Sequence, residues 1–171
     1  MVLGMSLSTF TMLHVLISLV GIASGVVVAW GLIAGKPLPG ITAIFLTTTV
    51  LTSLTGFLFP FKHLLPSHIL GILSLVALAG AILGRYVMHL AGAGRSIYVV
   101  CAVIALYFNV FVLVAQSFLK VPSLHVLAPT QKEPPFAIAQ LAVLIIFVVV
   151  GIFAVKNFRI GAQSQGLKRA A

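Results

Sequence analysis

Five apolar runs, parted by prolines, glycines and cations, occupy most of this chain of 171 residues. Crossing the hydrocarbon core of a bilayer takes ~20 residues of helix. The runs lie at about 10–34, 41–59, 67–91, 96–119 and 136–155, each close to that length or beyond it. The pattern predicts an all-α, polytopic transmembrane bundle of five helices, forming a single integral membrane domain over 1–171. Its longest loop spans 121–135, and a cytoplasmic tail spans 156–171. Composition agrees. Hydrophobic residues make up 61% of the chain and charged residues 6%, with a mean hydropathy of +1.28. A soluble domain carries ~25% charged residues, so no soluble fold of this size hides so much apolar surface.

The charge balance is +9, from ten Lys and Arg against one acid, Glu133. The cations sit at the ends of apolar runs and not on a polar face, which speaks for a lipid bilayer as partner and against nucleic acid. The first run has no basic residue before it and is too long for a signal peptide, so it reads as a spanning helix with its N-terminus outward. Seven cations (Lys36, Arg85, Arg95, Lys156, Arg159, Lys168 and Arg169) then flank the inner side, and three (Lys62, Lys120 and Lys132) the outer. That asymmetry gives N-out and C-in. The lone Cys101 excludes a disulfide within the chain and reads as a small buried hydrophobe.

Within the third run Ala77, Gly80, Ala81 and Gly84 share one helical face, where another helix can approach closely. In the first run His14, Ser18, Gly21 and Gly25 share a face, so His14 points into the bundle. Thr48, Thr52, Thr55 and Gly56 form a hydroxyl face in the second run. Such hydroxyls either return to backbone carbonyls a turn earlier or line a cavity. The fourth run carries Tyr98, Ala102, Ala105, Asn109, Gln116 and Lys120 along one side. Buried amides such as Asn109 and Gln116 need protein or water partners in hydrocarbon. The loop 121–135 holds four prolines and apolar side chains that lay it on the membrane surface.

This orientation sorts the polar groups. His14, His63, His68, His125, Gln116, Gln140 and Lys120 gather towards the outer side, and only His89 among the histidines lies inner. An outer-half site built on His14 and His68, with Gly71, Gln116 and Gln140 nearby, is the sharpest reading. Two imidazoles on different helices beside glycine meet the needs of haem b with two axial histidines; quinone is the other candidate cofactor. A divalent metal on His14, His63, His68 or His125 is a weaker candidate, because carboxylates and thiolates are scarce here. Near the inner face, Arg85 and His89 are spaced to contact an anion or lipid headgroup, or to snorkel to it. No catalytic residue is assigned. No carboxylate lies in any span, which disfavours proton- or sodium-coupled transport and carboxylate-based hydrolysis. There is no HExxH, P-loop or GxGxxG motif.

His68-Ile-Leu-Gly71 followed by Arg85 resembles the His-x-x-Gly…Arg pattern of small bacterial b-type cytochromes of four-helix build. The resemblance implies His68 as haem ligand, Gly71 as the residue that clears the ring and His14 as the opposite ligand. It covers one or two helices, and those proteins carry further histidines inside their helices that this chain lacks. Tyr107-Phe108-Asn109-Val110-Phe111 and the loop Ala128-Pro129-Thr130-Gln131-Lys132-Glu133-Pro134-Pro135 resemble those of a group of uncharacterised small bacterial inner-membrane proteins. That likeness implies a multi-pass protein of the bacterial inner membrane and no particular activity. Three function classes stand. The leading one is a non-catalytic accessory or assembly subunit of a membrane complex, partnered by other membrane subunits. The second is electron transfer through haem b or quinone at the outer face. The third is a small-molecule or lipid permease, with water along Thr48, Thr52, Asn109 and Gln116.

Overall fold

The computed structural model describes residues 2, 4–60 and 66–159. Its elements are α1 (Leu7–Ile33), α2 (Pro39–Gly56), α3 (Pro66–Ile82), a π-helical turn (Leu83–Val87), α4 (Ala93–Lys120), the short α5 (Pro122–Leu127) and α6 (Pro134–Asn157). No strand occurs among the described residues. Among the described residues five helices are long and apolar enough to cross a membrane: α1, α2, α3 with its π turn, α4 and α6.

Local chemistry sets the ends of these helices. Ser6 caps α1, its hydroxyl accepting from the Thr9 N–H, and α1 stops at Gly35, which takes the left-handed conformation with φ +68°. Proline opens α2, α5 and α6, where a missing N–H costs nothing. The loop 121–135 is therefore partly helical. Its turn closes on Glu133, which accepts from the Thr130 hydroxyl at 2.8 Å and from the Lys132 N–H at 3.0 Å. Desolvation pushes the Glu133 carboxyl up, but these hydrogen bonds outweigh it and hold the group below its ordinary value. The turn therefore keeps this support until the pH falls through that lowered value.

The helices run back and forth, so their ends meet in two groups. At the upper end His14 near the start of α1 meets Thr55 near the end of α2. At the lower end Asn157 of α6 donates to the Ile33 carbonyl of α1 at 3.0 Å. There too Tyr98 of α4 meets Thr42 of α2 and the Phe158 ring. The core of the lower half is built from Val28, Leu32, Phe45, Leu46, Tyr98 and Leu106. The small-residue face of α3 lies against α4: Ala77, Ala81 and Gly84 are buried, and Gly80 faces the Cys101 sulfur. Of the five long helices α6 packs least, with only Gln140 and Ala154 buried.

The third helix departs furthest from its expected span of 67–91. The third helix leaves α geometry at Leu83, and Met88 N–H bonds the Leu83 carbonyl five residues back. His89 and Leu90 then take positive φ. The helical register that would stack His89 one turn after Arg85 is absent; His89 is exposed and its ring bonds the Val87 carbonyl. At the end of α6, Arg95 donates from Nη1 to the Val155 carbonyl at 3.0 Å and to the Phe158 carbonyl. It thus caps a helix C-terminus with a cation. Arg95→Met is expected to lower stability by about 2 kcal/mol, read as a lower thermal midpoint in detergent; an unchanged midpoint contradicts this role.

Candidate functional site: a cavity at the upper end

The upper half of the bundle is not filled. A cavity of about 500 Å³ lies between α1, α2, α3 and α4, within the ~300–1,000 Å³ range of small-molecule sites. His14, His68, Gly71 and Gln116, four of the five residues singled out for a cofactor, line it. The sequence places them there through one fact: each falls on the inward face of its helix near the same end.

The fifth, Gln140, does not line the cavity. It spans the seam between α6 and α4, where its Nε2 donates to the Phe111 carbonyl at 3.1 Å. Helical spacing gives a residue's side but not its neighbour, and the inward side of α6 faces Phe111. His125 also lies outside the lining; its Nδ1 faces the Phe118 carbonyl at 3.3 Å. His63 falls outside the described residues. Among the described residues no three His, Cys, Asp or Glu side chains group together as a metal site would require.

The His14 ring is held in one tautomer. The Thr55 hydroxyl donates to the Leu51 carbonyl at 2.7 Å, so its oxygen accepts from His14 Nδ1–H at 2.8 Å. The neutral ring then keeps an unprotonated Nε2, able to accept a hydrogen bond or ligate an iron. The Phe59 ring meets His14 edge-on at 5.2 Å and fixes its plane. His68, 5% exposed, lies in the first turn of α3, tilted against the Phe57 ring at 5.7 Å. A Cβ on Gly71 would meet that same Phe57 ring at 3.0 Å. The space Gly71 leaves is therefore taken by Phe57.

Deeper in, Asn109 donates from Nδ2 to the Thr49 hydroxyl at 3.2 Å, and Ser53 bonds Ser74 at 3.2 Å. The Thr52 hydroxyl is buried with no partner among the described residues. Thr48 instead returns its hydroxyl to the Ile44 carbonyl at 2.7 Å and takes no part in the lining. Below Asn109, Phe45 and Leu106 close against Gly25, so the cavity is blind. Gln116 and Lys120 are exposed on the last turns of α4, where they form its mouth. Among the described residues no carboxylate lines the cavity, and Lys120 is the one fixed charge in its wall. Such a wall suits an apolar body with a polar, uncharged or anionic head.

Ser74 and Ser53 line the cavity and were not among the candidate site residues. Ser74 had a signal, since His68, Gly71 and Ser74 recur every third residue and so share the face that carries His68. The chain matches no protein-family model, curated protein or solved structure.

Proposed function

We propose that this chain is a multi-pass membrane protein, N-out and C-in, that holds one small hydrophobic molecule at its outer end. Its role is that of a non-catalytic subunit, and the ligand is a quinone-like ring with an apolar tail. The observation that carries this reading is the blind, carboxylate-free cavity with two imidazoles in its wall. Hydrogen-bonding groups from four helices converge there on an otherwise apolar space, as small-ligand sites require. The orientation rests on charge. Among the described residues Lys36, Arg85, Arg95, Lys156 and Arg159 sit at the lower end, against Lys120 and Lys132 at the upper. A bacterial inner membrane is the location that the resemblance of the loop and of the Tyr107–Phe111 segment suggests.

Haem b is the second reading, favoured by the free Nε2 of His14 and by His68 in the same wall. Those two residues would hold it, and the iron would supply one-electron chemistry. The Phe57 ring over Gly71 stands against it, because a macrocycle at that glycine requires Phe57 to move. A permease is the weakest reading, since packed side chains seal the lower half.

An absorption spectrum of the protein purified in mild detergent, with an organic extract of the same sample, separates these readings. The account predicts no Soret band and one apolar species in the extract, whose ultraviolet absorption changes on borohydride reduction. A Soret band moves the assignment to haem b. An extract holding only bulk lipid removes the ligand-holding reading.

A further inference from the structure

Arg85 sits at the opposite end from the cavity, in the middle of the π turn. Its guanidinium lies 5.1 Å from the Tyr98 ring centre and 5.7 Å from that of Tyr86. Its Nη1 is buried and has no hydrogen-bond partner among the described residues. Three of the other lower-end cations among the described residues are engaged elsewhere: Arg95 caps α6, Lys36 lies over Trp30 at 5.4 Å, and Arg159 donates to the Lys156 carbonyl. The chain has one acid to offer, Glu133, at the far end of α6. By helical rise that is about 35 Å away. A buried cationic N–H without an acceptor is costly, and aromatic faces compensate only part of a guanidinium's charge. The described residues supply no acceptor for this N–H, which leaves the position open to a ligand's.

We infer that Arg85 binds a phosphate oxyanion, and that its source is the headgroup of an anionic phospholipid in the inner leaflet. A guanidinium matches phosphate with paired N–H donors. Tyr86 and Val87 beside it are 48% and 64% exposed, so the site opens sideways where lipid would lie, and a tyrosine there suits the headgroup level. α4 also begins at this end without a side-chain cap, and a helix N-terminus favours a nearby negative charge. This site rests on the membrane-spanning reading and not on the cavity's ligand.

The test uses delipidated full-length protein in detergent. Phosphatidylglycerol, a neutral glycolipid with the same acyl chains and inorganic phosphate are each titrated against the thermal midpoint. Phosphatidylglycerol is expected to raise the midpoint, with about one lipid retained per chain in the native mass spectrum; the other two leave it unmoved. Arg85→Gln should weaken this effect at least about tenfold. Arg85→Lys should keep part of it, and Arg159→Gln all of it. An equal effect of inorganic phosphate overturns the lipid source, and an undiminished response in Arg85→Gln overturns the site. Should Arg85→Gln fail to fold, the contrast between phosphatidylglycerol and glycolipid on the wild-type protein decides alone: equal shifts overturn the proposal. Resistance of the protein to carbonate extraction from membranes tests the spanning reading separately.

Discussion

Gly84→Ala is expected to cost about 3 kcal/mol of stability, near the upper end of what overpacking a buried site costs. A Cβ there would lie 2.5 Å from the Gly94 carbonyl oxygen and 2.8 Å from the Tyr98 nitrogen. Both are backbone atoms of α4's first two turns, so no rotamer change relieves the clash. The helices must separate, which disturbs the Arg85–Tyr98 stacking and the bond from Leu90 N–H to the Gly84 carbonyl, now 3.0 Å. Gly40→Ala is the matched control, because a Cβ there meets nothing within 4 Å. Thermal unfolding in detergent, followed by the fluorescence of the single Trp30, should give a sharply lower midpoint for Gly84→Ala and a wild-type midpoint for Gly40→Ala. Equal midpoints would show that α3 and α4 are not in backbone contact at Gly84.

The residues also show what a sequence of this kind reveals. Long apolar runs and terminal cations make five long helices legible, because nothing else accommodates such stretches. The shared cavity of His14, His68, Gly71 and Gln116 was legible because a 3.6-residue period fixes sides, and alternating helix direction fixes ends. What each side chain touches was not. Gln140 lies on an inward face, but at the α4–α6 seam. Gly71 carries the spacing of a ring-clearing glycine, and its gap takes the Phe57 ring. The π turn had no periodic signal before it: the apolar run continues through Val87 and Met88 while the backbone changes its hydrogen-bond partner. Its cause is tertiary, the close approach of Gly84 to α4. Thr55 stood on the marked hydroxyl face, but its part in fixing the His14 tautomer depends on a contact across 41 residues of sequence.

Gly56→Leu is expected to remove the ligand while leaving the fold intact. The nearest atom to a Cβ at Gly56 is His14 Cε1, at 3.9 Å. The first carbon therefore fits, and the remaining three carbons of leucine enter the cavity beside the imidazole. An apolar side chain filling an apolar space does not destabilise the bundle. A ligand that must displace it, or share the space, loses about 1–3 kcal/mol, which is roughly a 10- to 100-fold weaker hold. Opening the cavity or changing its charge would not isolate this effect, because either change also alters polar groups that α1 and α2 use to pack.

Native mass spectrometry of wild-type and Gly56→Leu protein, released from the same membranes into the same detergent, decides whether the cavity holds a ligand. The account predicts a wild-type ion heavier than the chain by one small apolar molecule, and a Gly56→Leu ion of the same fold without that mass. A bare wild-type chain, or a Gly56→Leu chain that keeps the added mass, would contradict it.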